Sequence, residues 1–131
     1  MLDTLRKRLR SEKGFTLIEL LVVMIILAIL TAIAIPSYLS FKDRANKSAA
    51  GADVRSIIPS IESYFSDNGT YSGMSVAALQ ASYDQAINLS TYSLGAGTQT
   101  ASSYCIQASS QNQTASKAGP SAQIVIGGTC P

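Results

Sequence analysis

The chain has 131 residues, room for one modest folded domain, and its ten basic and eight acidic residues leave a net charge of +2. It contains no histidine, no glycine-rich phosphate loop and no paired carboxylates beside a nucleophile, which argues against an enzyme. Two cysteines without a histidine leave a tetrahedral zinc site unfilled, so neither a metal nor a cofactor is expected.

In residues 1–14, Arg6, Lys7, Arg8, Arg10 and Lys13 stand against Asp3 and Glu12, five positive charges against two. Positive charge directly before an apolar run is an orientation signal that keeps the N-terminus cytoplasmic. A small nucleic-acid patch is the other reading of the same residues. From Phe15 to Ile35 follow twenty-one positions of which Glu19 alone is charged. That length fits a helix of about 30 Å, the thickness of a bilayer core.

Three readings of the run compete. It can be a plain membrane anchor, or a secretory signal peptide ending at Ala32-Ile33-Ala34, although the apolar stretch exceeds the usual h-region. Neither gives Glu19 a task, and a carboxylate at the centre of a membrane helix costs several kcal/mol. The third reading cuts the chain between Gly14 and Phe15. The new ammonium then lies four residues before Glu19 on the same helical face. Pairing with that amine, in the same copy or a neighbouring one, would fix the axial register of a dry helical bundle.

Lys13-Gly14-Phe15-Thr16-Leu17-Ile18-Glu19 followed by an apolar run resembles the class III signal of type IV pilins and pseudopilins. The resemblance implies that a membrane aspartyl peptidase cuts after Gly14 and that Phe15 becomes the N-methylated first residue. It further implies that Glu19 is the carboxylate used in assembly and that Pro36 is the family's helix-bending proline. Residues 1–14 are then a cleaved basic leader, 15–66 a long helix whose segment 15–35 serves membrane and filament core, and 67–131 a globular head.

Past Pro36 the helical pattern continues. Val54, Ile57, Ile58, Ile61, Tyr64 and Phe65 fall on one face, a stripe that must be covered by the C-terminal third. Lys42, Asp43, Arg44 and Lys47 suit a water-exposed flank or contacts between subunits. Pro36 and Pro59 each remove a backbone donor and should bend or interrupt the helix, and Gly51 weakens it by about 1 kcal/mol relative to alanine. At Ser66–Gly73, "SDNGTYSG" is turn chemistry with Gly69 suited to a left-handed cap. This stretch is similar to the helix end of many pilins and major pseudopilins.

"MSVAALQAS" reads as a short helix, and "TYSL", "SSYCIQA" and "AQIVIGG" as short strands between polar turns. The expected fold class is α+β: a long N-terminal helix, apolar in its first half, packed by its second half against a small antiparallel sheet. Cys105 and Cys130 are either two thiols or a bridge closing a loop of about 26 residues, worth roughly 3 kcal/mol. By resemblance to type IV pilins, a Cys105–Cys130 disulfide delimits a surface loop region at residues 105–130. Lys117 is the lone charge there among Ser, Thr, Gln and Asn, which reads as a solubilising exposed face or a glycosylated, adhesive one. Asn46, Asn68, Asn88 and Asn112 match the asparagine acceptor pattern.

The resemblance implies a structural subunit, held in the cytoplasmic membrane with its N-terminus inside and then polymerised into a type IV pilus-like extracellular filament. Its partners would be further copies, related minor pilins, the prepilin peptidase and N-methyltransferase, and an inner-membrane platform with its ATPase. Adhesion, motility and DNA uptake stay open. The alternative is a pseudopilin of a type II secretion or competence system. Major pseudopilins of secretion systems carry a calcium-binding acidic loop, whereas no acidic residue follows Asp84 here, so a type IVa-like pilin is favoured. Residues 36–131 hold five basic and five acidic residues, a balance that argues against direct nucleic-acid binding by this subunit.

Overall fold

The computed structural model describes residues 14–131; the basic cluster and the leader up to residue 13 lie outside the described residues. The elements are α1 (Leu17–Asn68), α2 (Val76–Ser82), β1 (Tyr92–Leu94), β2 (Tyr104–Ser110), β3 (Gln113–Gly119) and β4 (Val125–Ile126). The chain divides into two compact units, Met1–Leu39 and Ser40–Pro131.

In the first unit, α1 has an apolar stretch long enough to cross a membrane, and none of it is buried. Thr31 hides its polarity by donating its hydroxyl hydrogen to the Leu27 carbonyl at 2.8 Å, one turn back. So large an apolar surface demands lipid or neighbouring helices as cover.

In the second unit, Ala50, Val54, Ile57 and Ile61 of α1 are buried and Ile58, Tyr64 and Phe65 half-buried, so the stripe read from the sequence is the helix's inner face. Full burial of each aliphatic side chain there contributes about 1.5–3 kcal/mol. Of the bend or interruption expected at Pro36 and Pro59, no interruption occurs: α1 continues through both. Pro59 and Arg55 are exposed, so water can serve the carbonyl that the proline leaves unpaired. Helix α1 ends where Gly69 adopts φ 68° and its N–H bonds to the Phe65 carbonyl at 2.7 Å. Ser75 then caps α2 by accepting from the Ala78 N–H at 3.1 Å, and Leu79 is buried behind it.

The four strands form an antiparallel meander in the order β1-β2-β3-β4. Along β2, Tyr104, Ile106 and Ala108 alternate inward onto the core, joined by Ala115 of β3. Strand β3, "QTASKAG", falls in a stretch that the sequence suggested was a polar turn. It becomes a strand because Gln111 (φ 47°) and Asn112 (φ 68°) make a tight two-residue reversal, after which seven residues pair with β2. Small side chains are what this position accepts. The strand expected in "AQIVIGG" contracts to the two exposed residues of β4. Lys117 also departs from expectation: it is buried in β3, 9% exposed, and is no part of a solvated face.

Cys105 and Cys130 are joined by a disulfide with Cα atoms 5.8 Å apart. Around it the last residues are held by the Cys130 N–H donating to Gln107 Oε1 at 3.0 Å, while the Ala96 N–H donates to the Pro131 carbonyl at 3.1 Å. Most of residues 105–130 is therefore sheet, not loop.

A polar contact is set into the core's edge. Tyr71 and Tyr104, with ring centroids 4.8 Å apart, donate their hydroxyls to the two oxygens of Glu62 at 3.0 and 3.3 Å. Burial, then the Glu62 charge, pushes the Tyr104 hydroxyl well above the ordinary tyrosine value of about 10, and Tyr71 is raised by burial and by its Glu62 bond. The folded head thus keeps protons that the unfolded chain releases above pH 10, so stability falls as pH rises past that value. The melting temperature is expected to drop above about pH 10, with the release of protons visible as phenolate absorbance, and Tyr104→Phe should flatten that drop.

Candidate assembly site at the start of the apolar helix

Thr16 stands at the N-cap of α1 and Glu19 three residues on. Thr16 Oγ1 accepts from the Glu19 N–H at 3.3 Å, and Glu19 Oε2 accepts from the Thr16 N–H at 2.9 Å and from the Thr16 hydroxyl at 2.7 Å. This is a capping box, two otherwise orphaned backbone donors satisfied reciprocally. A carboxylate at a helix start is further favoured by the macrodipole. Glu19 is therefore tolerable beside hydrocarbon because its own first turn solvates it. Thr16 lies outside the site residues expected from the sequence, although the T-x-x-E spacing of Thr16 and Glu19 marks it.

Both side-chain acceptor bonds use Oε2; Oε1 has no hydrogen bond among the described residues. Phe15, Leu20, Val22 and Val23 line an open, exposed groove together with Glu19. Phe15 is exposed, and among the described residues nothing lies within 4 Å of a side-chain atom added at Gly14. Gly14 and Phe15 lie just before α1, and Glu19 stands in its first turn. Pro36 lies farther along α1, and the Cys105–Cys130 bridge belongs to the second unit. Among the described residues no cluster of metal-binding side chains occurs.

Residues 9–35 match the family profile described as the prokaryotic N-terminal methylation motif. Residues 36–123, most of the chain, match the profile of the type IV minor pilin ComP, DNA uptake sequence receptor.

The chain belongs to the type IV pilin family.

The pilin is 36% identical over 98 residues to the type IV wide pilus major component PilA4 of Thermus thermophilus, which covers 75% of this chain and 73% of that protein. It is 42% identical over 61 residues to the type IV major pilin protein PilA of Myxococcus xanthus, covering 47% and 28% of the two chains. With the type II secretion system core protein G of Pseudomonas aeruginosa it shares 40% identity over 62 residues, 47% of this chain and 44% of that one. The pilin thus spans under half the length of the last two proteins. Pili and pseudopili are structural filaments, and a subunit of such a filament is what the apolar helix and the small head make.

Proposed function

We propose that the pilin is cut between Gly14 and Phe15, methylated on Phe15 and polymerised through the helix segment 15–35 into a pilus. The observation that carries this reading is the state of Glu19. One carboxylate oxygen is engaged by Thr16, the other has no hydrogen bond among the described residues, and the cut places an ammonium immediately before the capping box. In a water-poor bundle the neighbouring copy's amine is the partner that neutralises the carboxylate and sets the axial step. Lipid and helix neighbours are equivalent surroundings for Leu, Ile and Val, so one surface serves both storage in the membrane and packing in the filament.

In this reading residues 1–14 are the removed leader, with its basic residues kept in the cytoplasm. The rest of the chain comprises a helix over 15–66, bent at Pro36, and a head over 67–131 that ends outside the cell. The prepilin peptidase and methyltransferase, a platform protein and an ATPase are its partners in processing and extraction. A pilus is preferred to a pseudopilus because the last acidic residue is Asp84, well before the disulfide-tied segment. Mass spectrometry of the N-terminus of filament-derived protein tests the core of the proposal. An N-methylated Phe15 is expected; a chain starting at Ile35 would mean a signal peptide and sink it.

DNA capture is the second reading, favoured by the profile match over residues 36–123 to a DNA uptake sequence receptor. Five basic and five acidic residues over 36–131 give it no broad basic footprint, so the contact would have to be local.

A further inference from the structure

The head holds one buried ammonium whose positive charge no carboxylate answers. Lys117 Nζ donates to the Pro120 carbonyl at 2.9 Å and also to the Ala122 carbonyl. Those bonds use two of its three donors and supply only partial charges. The Lys47–Asp43 ion pair involves neither Lys117 nor Arg55, and among the described residues neither cation has a carboxylate at salt-bridge distance. Yet Lys117 of β3 and Arg55 of α1 line the same cleft of about 330 Å³, together with Ile58, Ala122, Gln123 and Ile124. Two cations lining one cleft, one from a helix and one from a strand, give it a positive potential. Burial of a charge is ordinarily repaid by a counter-charge.

We propose that this cleft binds a phosphate group, free or esterified. A doubly charged oxyanion answers both cations at once. A guanidinium supplies a planar fork of donors and an ammonium a compact point charge, the usual pair for phosphate oxygens. Gln123 adds a neutral amide at the rim. The volume exceeds what the oxyanion alone needs and leaves room for the organic part of an ester against the two isoleucines.

Backbone and side-chain NMR shifts of the full chain in detergent micelles test the site, with inorganic phosphate titrated against sodium chloride at matched ionic strength. Saturable shifts at Arg55 Nε–H, Lys117, Ala122 and the Gln123 amide are expected. Arg55→Gln, an exposed position whose change leaves the core intact, should weaken phosphate binding by about tenfold or more, the loss of one charge-assisted bond. Equal shifts with chloride, or an unchanged affinity in Arg55→Gln, would overturn the proposal. Lys117→Met, provided its spectrum stays dispersed, should bind no phosphate. A short DNA duplex that competes with phosphate for these residues assigns the phosphodiester backbone as the source. A duplex that leaves them unmoved assigns the site to a small phosphate ester. DNA binding elsewhere on the head, with no phosphate response here, sinks this site and leaves the DNA reading standing.

Discussion

Glu19→Leu is expected to abolish surface filaments while leaving the pilin in the membrane at its normal level. The substitution makes the apolar run continuous, so insertion and retention improve, and only a step that uses the carboxylate can suffer. A charge-assisted bond contributes about 1.5–3 kcal/mol, so its loss should weaken each subunit addition by at least about tenfold. Repeated at every step of a long polymer, that loss leaves short filaments or none. Two companions separate charge from capping. Thr16→Val removes the cap but keeps the carboxylate, costs about 1 kcal/mol of local helix stability and should thin the filaments without eliminating them. Glu19→Gln keeps a hydrogen-bonding group but no charge and should resemble Glu19→Leu if the amine is the partner. Counting filaments by electron microscopy against immunoblotted membrane protein reads all three. Wild-type filament numbers in Glu19→Leu would remove the carboxylate from the assembly step.

Much of this architecture was legible because it rests on local signals. Gly69 could be assigned a left-handed cap from sequence since few other residues take φ near 68° at low cost, and the stripe Val54–Phe65 announces its buried face by spacing alone. The parts that could not be read depend on partners distant in sequence. Strand β3 has only Thr114 to favour a strand; it is one because β2 lies beside it and because Gln111 and Asn112 accept positive φ. The same pairing carries Lys117 under the chain segment 120–122, where the Pro120 and Ala122 carbonyls accept hydrogen bonds from its ammonium, so a residue that composition marks as exposed is buried. Pro59 misled in the opposite direction. Propensity argues against helix there, and the buried face on either side, Ile57 and Ile61, holds the helix together across it. At Glu19 the sequence displays the charge that sets the residue apart, and the T-x-x-E spacing displays its hydrogen-bond partner, Thr16.

The head's least replaceable residue should be Gly119, where alanine is expected to cost about 3 kcal/mol or more. Gly119 pairs with Tyr104 across β2 and β3, and the Tyr104 ring lies over the backbone where a Cβ would project, so the added methyl group overlaps the ring. The ring cannot step aside cheaply. It packs on Tyr71, its hydroxyl is held by Glu62, and it is 2% exposed. Overpacking at so confined a position forces either an off-rotamer tyrosine or a displaced strand, typically about 1–3 kcal/mol and sometimes more. For a head of this size, that loss should lower the melting temperature by more than about 10 °C. Gly127→Ala supplies the contrast. Its φ of 78° strains an alanine, but no atom lies within 4 Å of the new methyl, so the cost should stay near 1–2 kcal/mol. A double-mutant cycle decides between clash and backbone strain at Gly119. If the ring is the obstacle, Gly119→Ala should cost far less in a Tyr104→Ala background, because truncation empties the space the methyl group needs. Equal costs in both backgrounds would mean that the glycine is required by its backbone and not by the tyrosine above it.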